Sequence, residues 1–495
     1  MKHKLLGLLS AAIMILAAAL LSSVEPVSVK STRIHQHLSS RQDTDCGCQG
    51  AELCTHLPLV VIDTMGQAIP GAPTLEKDLF GQELYTTAAD GETTILSNLS
   101  VIDHESANNH PSDQPDFTTS CEIRIRGKSS RQFPKRSYAL KFVDSCGEAN
   151  NLSVMGMGAH HDWVLHGPIL DKSLIRNYLW YNIGGEIMGY APNVRFCEVI
   201  LNGEYQGLYL MTESITDGKD CRLNLSLTVK NAESTGYLLR IDRPTEQDLG
   251  TPRDIYTYNE RMSNVDFDVS IRYPGTAGLT PELAKDIELD YSAFEKALFS
   301  FDYDTEDYGY RNYIDVENFI DYFIINEFSK NYDAGNFSTY IYKEVGEKFK
   351  LCIWDFNNSC DNYSEQAFDA SGFFLVRRDW YFMLFRDEAF VEQLLRRYEQ
   401  LRQTYLSQEY LMSYIDDTLA YLGCAVDRNN QRWADEIAGL VEWEDLMPKE
   451  RNLHSHQEAV VELKNWICAR GAWLDSNIQS LRQYAHPSRN NAYNH

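Results

Sequence analysis

The sequence predicts an α+β fold, with a β-rich part running to about residue 230 and a helix-rich part from about residue 280. Three observations carry this expectation. Cys121-Glu122-Ile123-Arg124-Ile125-Arg126 and Ser137-Tyr138-Ala139-Leu140-Lys141-Phe142 alternate in the period of half-buried strands. Asn202-Gly203 stands between the apolar alternating runs 196–201 and 205–213, a strong hairpin signal. Beyond about residue 380, apolar residues recur at helical spacing through 388–405, 410–422 and 457–484.

Taken in order, residues 1–24 read as an export signal or N-terminal anchor. Lys2 and Lys4 precede an apolar run from Leu5 to Leu21, and small residues at Ser22 and Ser23 weakly mark a cleavage site. The run is near the lower limit of a membrane span, so an uncleaved anchor is the alternative, and the only membrane contact expected. Residues 25–56 read as a polar stalk, 57–485 as the folded domain and 486–495 as a tail. The apolar run 57–64 is the first buried strand. Residues 171–188 have helical spacing, with Asp171 or Ser173 as cap and Leu174, Tyr178, Tyr181 and Ile187 on one face. Residues 315–329 form a second helix, and strands 339–342 and 349–354 flank a turn at Gly346.

With 495 residues, 43 % of them hydrophobic, the chain can bury a sizeable core. A formal net charge of −26 argues against a nucleic-acid backbone or an anionic membrane surface as partner. It suits solubility outside the cell, in secreted or surface-held form, or attraction to basic protein substrates. No oligomeric state is read from the sequence. Eleven cysteines is an odd number for an exported protein. Cys46, Cys48 and Cys54 cluster near His35, His37 and His56, but the spacing matches no strong zinc pattern, and disulfides or a surface loop are the preferred reading. Cys352 and Cys360 bracket the candidate catalytic segment, where a bridge between them would staple the loop.

Phosphoryl transfer needs a cation on the phosphates, a carboxylate near the acceptor hydroxyl and another holding the metal. Lys141, Asp333 and Asp355 offer these in order. Lys141 lies on a strand, Asp333 opens the loop after a long helix, and Asp355 follows an apolar strand in Trp354-Asp355-Phe356-Asn357. Asn331, Asn336 or Ser338 would complete the shell of Mg²⁺, with Mn²⁺ or Ca²⁺ as substitutes. The basic residues Arg124, Arg126, Lys128, Arg131, Lys135 and Arg136 crowd together in an acidic chain, as an anion site for a triphosphate would. Each element also has a plain reading: an outward strand lysine, a turn aspartate, a loop start, surface ion pairs. There is no Gly-x-x-x-x-Gly-Lys loop, which disfavours a P-loop ATPase. His160-His161 lacks the Glu-x-x-His context of a zinc peptidase and reads as a loop.

At these residues the chain resembles the CotH kinase family of spore-coat and secreted bacterial proteins, over roughly residues 57 to 485. The resemblance rests on Arg124-Ile125-Arg126-Gly127-Lys128-Ser129-Ser130, Pro134-Lys135-Arg136-Ser137-Tyr138-Ala139-Leu140-Lys141-Phe142 and Asp162-Trp163-Val164-Leu165. It continues through Asp171-Lys172-Ser173-Leu174-Ile175-Arg176-Asn177, Leu201-Asn202-Gly203-Glu204-Tyr205-Gln206-Gly207-Leu208-Tyr209 and Thr212-Glu213. Asn326-Glu327, Lys330-Asn331-Tyr332-Asp333, Trp354-Asp355-Phe356-Asn357, Arg470 and Trp473-Leu474-Asp475 complete it. The resemblance implies an atypical protein-kinase-like fold that uses ATP and divalent metal to phosphorylate Ser, or Thr, of protein substrates, Ser-rich and basic ones among them. Asp333 then matches the catalytic aspartate and Asp355 the metal-binding one. Lys141 and Arg126 would contact phosphate, and Glu213 would meet the nucleotide or end a strand. Asp171 and Arg176 would hold the helix, and Trp354 and Asn357 are structural or of no assigned role. Lys128 departs from the Asn expected there. A catalytically inactive surface structural or binding module on the same fold is the competing expectation.

Overall fold

The structure, a computed structural model, describes residues 33–490 apart from 43–45, 49, 51, 78–80, 82, 219–221, 227–233, 244–249, 260–266, 363–368, 379, 441–451 and 489. The expected export signal lies outside the described residues. Among the described residues, no helix is long and apolar enough to cross a membrane.

Strand alternation closes into a barrel. β1 (Leu59–Asp63), β4 (Ile95–Ile102), β5 (Phe117–Arg126), β6 (Ser137–Val143), β9 (Asp162–His166), β10 (Val194–Leu201) and β11 (Glu204–Glu213) follow one another in the order β1-β10-β11-β9-β6-β5-β4. β1 runs parallel to β10 and antiparallel to β4, which closes the ring. The expected pairing of the 120–126 and 137–142 runs is the antiparallel β5–β6 ladder. The Asn202-Gly203 turn joins β10 to β11 with both residues at positive φ, 51° and 81°. Inward residues such as Ile123, Leu140, Phe142, Trp163, Leu165 and Met211 fill the barrel. Two small hairpins, β2 (Pro73–Lys77) with β3 (Glu83–Tyr85) and β7 (Leu152–Val154) with β8 (Met157–His160), decorate it. His160 thus ends a strand instead of lying in a loop.

A second sheet, in the order β13-β14-β12-β15-β16, combines β12 (Tyr237–Asp242), β13 (Asp254–Ile255), β14 (Asp268–Tyr273), β15 (Thr339–Lys343) and β16 (Lys350–Cys352). Strands therefore continue beyond residue 280, interleaved with the helices Pro281–Phe299 and Val316–Ser329. Helices dominate afterwards, through Glu388–Arg402, Gln408–Leu422 and His456–Asn477.

The helix Arg176–Ile187 is the wedge between these parts. It buries residues around almost its whole circumference, because one side meets the outer barrel face at Val164, Phe196 and Leu210 and the other meets Ile325, Phe328 and Ile353. Gly184 makes that fit: a Cβ there would lie 2.1 Å from Ile353 Cδ1. The helix starts later than the sequence periodicity indicates. Residues 171–175 instead form a turn, with Leu174 at φ 66°.

Three expectations change. The polar segment read as a stalk docks in part: Gln36 pairs with the Phe196 backbone on both N–H and C=O, and the His37 ring hydrogen-bonds Tyr178. The tail also touches the body, as Asn490 donates to Phe301 O. Cys352 and Cys360 are buried and form no disulfide with each other, so no bridge staples the loop. Cys352 sits near Tyr190 and Tyr342, whereas Cys360 lies by Arg176 and Trp180.

Candidate active site

Two loops meet where the wedge helix faces β16. The first leaves the helix Val316–Ser329, whose Asp315 caps the first turn and whose Lys330 closes the last in the left-handed region, φ 44°. Asn331 follows, buried, and its Nδ2 donates to Asn326 Oδ1 at 3.0 Å and to Trp354 O at 3.3 Å. The second bond ties this loop to the residue just before Asp355. Asp333 then opens a tight turn, its carbonyl accepting from the N–H groups of Asn336 and Phe337. Arg378 clamps the same loop by donating to the carbonyls of Tyr332 and Ala334.

The second loop carries Asp355 at φ 56°, a left-handed conformation that Asp tolerates better than most residues. Three groups hold it. Tyr181 Oη accepts the Asp355 N–H, Asn177 Oδ1 accepts the Phe356 N–H at 2.7 Å, and Asn357 Nδ2 donates to Asp355 Oδ1 at 2.5 Å. Asn177 and Tyr181 are one helical turn apart, so the wedge helix presents both to the loop together. Asn177 Nδ2 also donates to Asn357 Oδ1 at 2.9 Å.

The electrostatics show the convergence. Burial first, and then the Asp355 charge, push the Asp333 carboxyl up to about 6. Burial also raises Asp355, against the pull of Arg126. Asp242, at the end of β12, raises both. Asp355 and Asp242 thus act on Asp333, and Asp242 acts on Asp355, with Arg126 opposing at Asp355 and Arg243 and Arg378 at Asp333.

Arg126 lies on the outer barrel face, 5.6 Å above the Trp354 ring, and lines a cleft with His166, Thr212, Tyr181, Asp355 and Asn357. His166 is buried and its pKa pushed down to about 3, by burial and then by Arg126, so it is neutral. The expectations for Arg126, Trp354, Asn357 and Asp355 therefore meet in one cleft, and Asp333, which does not line it, is linked to Asp355 through their charge interaction. Asn336 helps close the Asp333 turn through its backbone.

Other expectations do not. Lys141 is exposed on β6 and pairs with Glu122 at 3.3 Å, because the β5–β6 register sets these two opposite each other. It does not line the cleft. Glu213 is fully buried at the end of β11, where its Oε2 accepts from the backbone and side chain of Asn193. It ties β11 to the segment before β10 and does not line the cleft. Asp171 and Arg176 form a buried pair at 2.6 Å, and Asp171 Oδ2 also accepts the Arg176 N–H. Arg176 Nε reaches Ser359 O, so the pair anchors the helix start to the Asp355 loop.

The basic cluster also divides. Lys135 is buried and donates to Leu208 O and Asn429 Oδ1, both at 2.7 Å. Arg131 bonds the carbonyls of Gly127 and Gly71. Arg124 stays beside Arg126, with Arg240 of β12 as a further cationic neighbour.

The donors are of the kind a hard divalent cation takes, although the carboxylates of Asp355, Asp242 and Asp333 do not all converge within 4.8 Å of one another. Asp355, Asp242, Asp333 and Asn331 supply oxygen donors, and Asn331 Oδ1 is buried without a hydrogen-bond partner. Carboxylates raised by burial and by neighbouring carboxylates are those that a bound cation relieves. Sequence reasoning missed Asp242, Arg243, His166, Asn177 and Tyr181 as site components. The i, i+4 spacing of Asn177 and Tyr181 was the available signal.

Residues 123–474 match the family model described as CotH kinase protein. A search of curated proteins returns no match.

Proposed function

The chain belongs to the CotH kinase family, and from that premise we propose that it is an exported protein kinase, moving the γ-phosphoryl group of ATP to Ser, or Thr, of protein substrates. On this reading the fold is an atypical protein-kinase-like one, with the barrel cradling the nucleotide. The observation that carries it is the meeting of Asp333 and Asp355, from separate loops, close enough that the Asp355 charge raises Asp333.

When bound, Mg²⁺, or Mn²⁺, would supply positive charge to offset the charge that develops on the transferred phosphoryl group. Asp355, Asn331 and Asp242 would hold it. Arg126, braced on Trp354, contacts the phosphates in place of the lysine expected from the sequence. The substrate hydroxyl oxygen forms the new bond to the γ-phosphorus as the bond to the β–γ bridging oxygen breaks and ADP leaves. Asp333 orients that hydroxyl and accepts its proton. The net charge of −26 suits basic, Ser-rich substrates.

The test is thermal stabilisation by ATP with Mg²⁺, together with metal-dependent ADP formation in the presence of a Ser-rich basic peptide. A ligand at about a hundred times its Kd adds roughly 2.7 kcal/mol, a readable shift. The reading expects both signals, and loss of ADP formation in Asp333→Ala. Absence of both would leave a non-catalytic surface module on this fold.

A further inference from the structure

Away from the cleft, at the end of the barrel where the N-terminal segment joins it, four side chains converge. One ligand atom from each of Cys46, Cys48, Cys54 and His110 lies within 4.8 Å of all the others. Cys46 Sγ is 3.2 Å from His110 Nε2. We propose that these residues form a structural zinc site, fastening the segment before β1 to the loop between β4 and β5.

The donor set is what zinc takes in closed structural sites: three thiolates and an imidazole. Bond lengths of that site place neighbouring sulfurs about 3.8 Å apart and sulfur and nitrogen about 3.6 Å apart, spacings the cluster reaches with small adjustments. The imidazole is already oriented. Asp113 Oδ2 lies 3.1 Å from His110 Nδ1 and also accepts the His110 backbone N–H, which turns Nε2 toward the sulfurs. Asn108 Nδ2 donates to Cys54 Sγ at 3.0 Å, the kind of outer contact that stabilises a coordinated thiolate.

The scaffold around it is built as well. Thr55 and Asn109 exchange backbone hydrogen bonds at 3.2 and 2.7 Å, placing Cys54 and His110 side by side. Ser112 Oγ donates to Glu52 Oε1 at 2.7 Å across the same junction. The cysteines are free in the structure. A disulfide would join two of these sulfurs and leave the third, with the oriented imidazole, without a role. Nor does the other His-containing cluster, His160, His161 and Asp162, compete. Both ring nitrogens of His160 are engaged, one with Asp217 O and one with the Asp162 N–H.

The site is independent of nucleotide chemistry, and so is its test. The full chain, purified without chelator, is analysed for metal, and the metal is then exchanged for Co²⁺. The proposal expects one zinc per chain and a cobalt spectrum with thiolate-to-metal charge transfer and tetrahedral d–d bands. Cys54→Ser and His110→Ala should each lose the zinc, while His161→Ala keeps it. Asp113→Asn should weaken binding by about 10- to 100-fold without removing a ligand. The wild type covers the chance that a variant fails to fold. Chelation should lower its Tm, and zinc but not Mg²⁺ should restore it. A disulfide among Cys46, Cys48 and Cys54, a chain that takes up neither zinc nor cobalt, or zinc that survives both ligand substitutions would overturn the assignment.

Discussion

Tyr181 Oη accepts the backbone N–H of Asp355 at 2.9 Å, so a fully buried helix side chain fixes the turn that carries the candidate metal-binding aspartate. The bond counts because Asp355 sits at φ 56°, a conformation its surroundings must hold in place. Tyr181→Phe removes the acceptor and leaves a buried N–H unpaired, at about 1–3 kcal/mol. Thermal unfolding should show that loss, and Mg²⁺-dependent ATP binding should weaken with it. Unchanged metal dependence would mean that Asp355 is positioned without the helix.

Arg126 and Lys141 should part company. Arg126 lines the cleft over Trp354, whereas Lys141 pairs with Glu122 on exposed surface. Arg126→Ala should weaken ATP binding by about tenfold or more, the scale of a lost charge-assisted hydrogen bond. Lys141→Ala should leave it unchanged. Calorimetric titration of both variants decides, and the reverse ranking would restore the lysine expected from the strand motif.

Lys135 gives the protein a pH signature. Burial holds its pKa down at about 7, against an ordinary value of 10.5. Above 7 the folded chain carries it neutral, while the unfolded chain keeps its proton up to about 10. The unfolded state therefore binds more protons in that window, and stability rises with pH across it. The penalty is complete below about 7 and fades toward 10. Lys135→Met should flatten the Tm–pH curve between those limits relative to wild type.

Asp333 is expected to trade stability for its task. Its carboxyl is raised from 3.8 to about 6, so holding it ionised costs the folded state above that pH, and the cost fades as pH falls toward 3.8. In metal-free buffer at pH 7–8, Asp333→Asn should be stabilised by about 1–3 kcal/mol, with the gain gone near pH 4. Denaturant titration at the two pH values checks the sign.

Much of the fold was legible because local period reports local structure. The alternation in 120–126 and 137–142 gives β5 and β6, and Asn202-Gly203 gives the β10–β11 turn. The helix Pro281–Phe299 went unread although Thr280 and Pro281 mark its start, with the Thr280 side chain accepting the Leu283 N–H. Asp333 and Asp355 were legible because each follows a regular element at a loop start. What stands opposite a residue was not. Alternation places Lys141 on the outer face, but only the register shows Glu122 across from it. Asp242 joins the site from β12 and His110 joins the cysteines from a distant loop, and neither has a local pattern that announces it.

The central claim is that Asp333 and Asp355 form a phosphoryl-transfer site, and transfer of labelled γ-phosphate tests it most directly. Wild type, Asp333→Ala and Asp355→Ala are incubated with ATP and Mg²⁺ or Mn²⁺, offered a Ser-rich basic peptide and their own chains. The account predicts metal-dependent labelling of Ser by wild type that both substitutions abolish. No labelling by wild type, or labelling that survives either substitution, would contradict it.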